Sequence, residues 1–150
     1  MALFKLLHIL AVLVWVGGMF FAYLVLRPSA LEVLQPPERL RLWEKVFERF
    51  FNWVWLAVFV LLISGFYMVY LSGGITHAAH YVQLMMLLGG VMMVIFCYAF
   101  FNCYVRLDLL VTAQDWQQAG EVLTTLRRLV ALNLILGLLT VAVVVIGKGS

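Results

Sequence analysis

Four apolar runs constrain this chain more than anything else in it. They lie at roughly 3–26, 50–71, 81–105 and 129–147, and each supplies the ~20 residues a helix needs to cross a hydrocarbon core. With 66% hydrophobic and 11% charged residues and a mean hydropathy of +1.08, a water-soluble globule is excluded. The expected fold is all-α: a polytopic membrane four-helix bundle forming one transmembrane domain over residues 1–150. Lys5 and the Pro28-Ser29-Ala30 sequence give the first run some look of a secretory leader, but it is longer than the ~7–15 residues of a leader's apolar region. It reads as a span.

Charge orients the spans. Eight of the ten basic residues fall in two stretches, Arg27, Arg39, Arg41, Lys45 and Arg49 in one and Arg106, Arg127 and Arg128 in the other. Basic residues accumulate on the cytoplasmic side. Both stretches are therefore expected inside, with both termini and the 72–80 link periplasmic, in a bacterial-type inner membrane. The basic balance reports orientation in the lipid bilayer, and no nucleic-acid partner is implied. Within the first stretch, Pro36-Pro37 breaks the chain. Leu40, Leu42, Trp43, Val46 and Phe47 then share a rough apolar face among alternating charges, predicting an interfacial amphipathic helix between helices one and two that runs into helix two.

Inside the first run sits one imidazole, His8. An ionisable residue in a span is a functional-site hypothesis by default, because an unpaired polar group in hydrocarbon is costly. At helical spacing His8, Ala11, Trp15, Gly18 and Ala22 form one stripe, and its small residues admit a neighbouring helix. The stripe therefore faces protein. By the same reasoning His80, Gln83, Leu87, Gly90, Val94 and Cys97 form the expected contact seam of helix three, and Asn133, Gly137, Thr140 and Val144 that of helix four. Cys97 and Cys103 lie on nearly opposite faces and read as packed small side chains.

All three histidines, His8, His77 and His80, fall toward the external leaflet. Two imidazoles on different helices of a bundle can hold a b-type haem between them. On this reading His8 and His80 are the axial ligands, and Trp15 is among the aromatic residues lining the plate. Gln83 and Asn133 orient ligands or hydrogen-bond the cofactor. The competing reading takes the same imidazoles with thioethers: His77 and His80 have metal-ligand spacing and Met85 and Met86 follow, a donor set that suits copper, above all Cu(I). A third reading is a small packing subunit of a larger membrane complex, with Gly18, Ala22, Gly89 and Gly90 at the contact. The chain could also associate with itself as a homo-oligomer. No acid or lysine occupies the centre of a span, which argues against a proton-coupled transporter. Hydrolase and nucleotide motifs are absent.

The pattern LLHILAVLVWVGGMFFAYLVLRP, then ERLRLWEKV, HYVQLMMLLGG and LRRLVALNLILGL, resembles the CopD/HemJ-like superfamily. This groups CopD-type copper-resistance membrane proteins with HemJ-type protoporphyrinogen IX oxidases. His8, Trp15 and Gly18 match its first-helix pattern, and Arg128 and Asn133 match the spacing of its last helix. The resemblance implies that His8 binds haem b as in the HemJ group, with electrons passing from a porphyrin or another reductant to quinone. The chain departs from that group at Gln83, where its lysine would stand, and at Tyr81, where its histidine would stand one residue after His80.

Overall fold

The computed structural model describes residues 1–149, and among them every regular element is helical. Four long helices dominate: α1 (Ala2–Val33), α2 (Pro36–Leu71), α3 (His80–Thr112) and α4 (Trp116–Gly149), each long and apolar enough to cross a membrane. The protein is a multi-pass membrane protein. At 1.5 Å per residue a helix of this length runs about 50 Å, well beyond a hydrocarbon core of about 30 Å. The excess projects at the basic end.

Those projections account for the polar stretches. The 36–49 segment, expected as an amphipathic helix leading into helix two, forms the first turns of α2 without a break. Its apolar residues Leu40, Trp43 and Phe47 are buried within the bundle. The 106–128 stretch likewise divides between the end of α3 and the start of α4, around a short turn in which Gln114 has a positive φ of 57°. Asp115 opens α4 by accepting a hydrogen bond from the Gln118 backbone N–H at 3.3 Å.

Two helices change register midway. α1 widens to π geometry over Phe21–Leu26 just ahead of Pro28, whose ring has no N–H to give and crowds the carbonyl four residues back. α3 widens over Ala99–Tyr104. There the extra residue keeps side chains four apart aligned on one face, so that Phe96, Phe100 and Tyr104 all meet Phe51 of α2, at ring separations of 5.4, 6.0 and 5.6 Å.

Packing pairs α1 with α2 and α3 with α4, and α4 also leans on α1 and α2. The stripe expected on α1 is the packed one: Ala11, Trp15 and Ala22 are buried, and the space a Gly18 side chain would take is filled by the Phe50 ring of α2. Asn133 and Gly137 are buried on α4 as expected. On α3 the expected seam is corrected. Leu87 and Val94 are 63% and 71% exposed, while Met92 and Phe96 turn inward at 4% and 2%. The reason lies on α4, where bare Gly137 makes a hole: a Cβ there would stand 2.8 Å from Val16 of α1 and 3.2 Å from the Met92 methyl. Met92 fills the hole, and the face of α3 bearing Leu87, Gly90 and Val94 rotates outward. A short, branched Val16 has little freedom to yield, so Gly137→Leu should destabilise the bundle by about 1–3 kcal/mol, read as a lower melting temperature in detergent.

At the basic end Glu44 is buried at 6% exposure, in the polar extension ahead of the apolar part of α2. Burial, and then a shared hydrogen bond with Asp108, raises its carboxyl above the usual value of 4.5, against the pull of Lys45. A carboxyl that holds its proton more tightly folded than unfolded loses stability as pH climbs from 4.5 through the raised value. Glu44→Gln should flatten that decline and leave the variant melting higher than the parent at neutral pH.

Candidate functional site at the histidine end

His8 finds its partner on α2. Its Nδ1 lies 2.9 Å from Ser64 Oγ, and its ring lies over Gly65, where an added Cβ would sit 3.5 Å from Cε1. Ser64 is 2% exposed, and its hydroxyl donates to the Val60 carbonyl at 2.6 Å. With that proton committed, Ser64 Oγ can only accept from the imidazole. His8 Nδ1 therefore carries the N–H, and in the neutral ring Nε2 is a bare lone pair. No hydrogen bond is made to it among the described residues. Fixing one ring nitrogen through a hydrogen bond so that the other is free is how proteins prepare histidines to bind metals.

The same arrangement recurs in the link between α2 and α3. Gly73 and Gly74, at φ +94° and +100°, turn the chain back as only glycine does readily. His77 follows on a 3₁₀ turn and sends Nδ1–H to the Gly73 carbonyl at 3.0 Å, with Thr76 Oγ1 at 3.3 Å. A carbonyl only accepts, so Nε2 of His77 is again the free nitrogen, and the ring is exposed. Gln83 braces this link. Its amide donates to the carbonyls of Ile75 at 2.9 Å and Ala78 at 3.2 Å, tying the turn to the first turn of α3.

The remaining predicted residues divide by depth. His80 is the first residue of α3, exposed, at the head of the face that turns outward. α1 packs chiefly on α2 and α4, and no hydrogen bond or ring contact joins His8 to His80. His77 and His80 are both exposed within three residues of each other. Met85 and Met86 are half-buried in the next turns of α3. Deeper in, Trp15 meets Phe96 edge to face at 6.1 Å. Asn133 donates to the Met92 carbonyl at 3.1 Å, locking α4 to α3, while its Oδ1 is buried without a partner. Trp15 and Asn133 line a void of only about 10 Å³. Among the described residues no three His, Cys, Asp or Glu side chains gather as a metal cage.

Sequence reasoning missed Ser64. The signal that could have found it was depth: Ser64 lies seven residues from the outer end of helix two at Leu71, within a turn of the level expected for His8.

These features define a four-helix polytopic membrane protein with imidazoles presented at one end. The chain belongs to the copper resistance protein D (CopD) family, whose family model matches residues 44–146. The matched region takes in α2 from Glu44, the link with His77 and His80, α3 and nearly all of α4, and leaves out α1 with His8. No curated protein and no solved structure matches the chain.

The Ser64 hydroxyl is expected to dictate the His8 tautomer. Ser64→Ala should cost about 1–3 kcal/mol by orphaning the Nδ1–H. It should also convert a single Nδ1–H form into mixed tautomers in ¹⁵N spectra of the labelled protein.

Proposed function

We propose that this protein handles copper as cargo, taking up Cu(I) at the histidine end of the bundle on the non-cytoplasmic face of a bacterial-type inner membrane. The reading rests on the family of the chain, and the one structural observation that carries it is the braced turn bearing His77. Its ring is exposed with Nδ1 held by the Gly73 carbonyl, His80 stands three residues on, and both lie within the matched region. Cu(I) is soft and accepts few ligands, so two imidazoles, with Met85 and Met86 as the next donors along α3, are chemically suited to it. The open donor set also suits a cargo ion that has to leave again. Basic residues gathered at the opposite end support the orientation, with both termini on the same side as the histidines.

A second reading is favoured by the prepared lone pair of His8. In it His8 Nε2 would hold a haem b, which would supply one-electron chemistry to an oxidase that passes electrons to quinone. In this reading Ser64 would fix the ring, and Gly65 would give it a flat floor.

The two are separated on one purified sample. Cu(I) titration against a chromogenic chelator should give binding that falls about tenfold or more in His77→Ala/His80→Ala, with His8→Ala unaffected. Equal affinity in parent and double variant would overturn the copper reading. A Soret band lost in His8→Ala would establish the second one.

A further inference from the structure

At the basic end, α1, α2 and α4 enclose a cleft of about 220 Å³. Its walls are largely apolar, with Leu31, Trp43 and Phe47 among them, yet three arginines line it, Arg27, Arg39 and Arg127. No carboxylate is among its lining residues. The ion pairs found among the described residues are those of Lys45 with Glu44 and Glu48, so none of the three guanidinium groups has an acidic partner. The Nε atoms of Arg27 and Arg39 are shut off from solvent and lack an acceptor. Arg127 is repelled by Arg27 and by Arg128 beside it in sequence. Arg27 reaches its place directly after the π-widened segment of α1 and lies over the Tyr23 ring at 5.2 Å.

Three cations converging on a greasy cleft, with donors buried and unanswered, describe half of an interaction. A guanidinium presents its donors in a planar fork that matches phosphate and carboxylate oxygens. We propose that this cleft is a binding site for an anionic amphiphile, a phosphate or carboxylate group held by Arg27, Arg39 and Arg127 with an apolar portion against Leu31, Trp43 and Phe47. Its volume is below the roughly 300–1,000 Å³ of pockets for drug-sized ligands, so it takes a headgroup with a short length of chain. The anion replaces the missing carboxylates and relieves the repulsion between α1 and α4. The site is independent of the copper reading, being built from other residues at the other end of the bundle.

Two tryptophans line the cleft, Trp43 and Trp116, which makes it readable by fluorescence. Full-length protein, delipidated in an uncharged detergent, is titrated with short-chain phosphatidylglycerol, with inorganic phosphate, and with phosphatidylcholine of the same chain length. Saturable change with phosphatidylglycerol is expected, weakened about tenfold in Arg27→Gln/Arg127→Gln by loss of charge-assisted bonds. Arg49→Gln/Arg106→Gln loses the same charge outside the cleft and should stay within about twofold of the parent. If phosphate alone reproduces the change, the occupant is a soluble anion; if only phosphatidylglycerol does, it is a lipid. The second result supports the proposal, and the first overturns its apolar part. Should the double variant fail to fold by circular dichroism, Arg39→Gln is used for the same comparison. No saturable response to either anion, an equal response to phosphatidylcholine, or equal weakening in the two double variants would overturn the proposal.

Discussion

A polar group inside hydrocarbon has to be satisfied by the protein itself, and in this bundle that requirement is met by very few bonds. His8 to Ser64 joins α1 to α2, and Asn133 to the Met92 carbonyl joins α3 to α4. Each bond closes one of the two helix pairs. Between the pairs the apolar contact is packing, with Val16 and Met92 meeting at the hole left by Gly137 and Phe51 of α2 set against Phe96, Phe100 and Tyr104 of α3. Without a hydrophobic driving force between helices in lipid, such close approach and such bonds are what hold a bundle together. The bond to Ser64 does a second thing. Because the serine proton is already committed to Val60, the bond also dictates which imidazole nitrogen is left bare.

The two ends of the molecule are chemically opposite. At one end imidazoles are presented, that of His77 on a turn stapled by Gln83 and with its Nδ1 held by the Gly73 carbonyl. At the other, arginines without acidic partners surround a cleft, and the buried acid nearby, Glu44, is occupied with Asp108 and Lys45. A soft cation suits the first end and an anion the second. That polarity follows from the distribution of charge along the chain, since the acidic residues as well as most of the basic ones lie in the two stretches that become the helix extensions.

Much of this was legible in sequence. The spans, the packed stripe on α1 and the seam of α4 follow from hydropathy and from small residues recurring at helical spacing. Helix three was not legible, and the reason is physical. It is apolar all round, so periodicity gave no inner face, and the polar residues that suggested one, His80 and Gln83, sit at its end. What orients it is a cavity on another helix, at Gly137, visible only once α4 is in place. Ser64 and the arginine cleft escaped for the same reason, since each depends on side chains from different helices meeting at one depth. The helix over 36–49 was legible as an amphipathic lead into helix two, whereas the helical extensions over 27–33 and on either side of the turn within 106–128 were hidden by their charge, which reads as connection although Ala30, Leu107, Val122 and Leu126 are buried.

The most direct test of the account is copper K-edge X-ray absorption on the purified protein carrying one equivalent of Cu(I). The account predicts a low-coordinate Cu(I) centre whose first shell contains imidazole nitrogen, with the outer-shell scattering of the rings. A first shell made only of sulfur, or one without imidazole scattering, would contradict it.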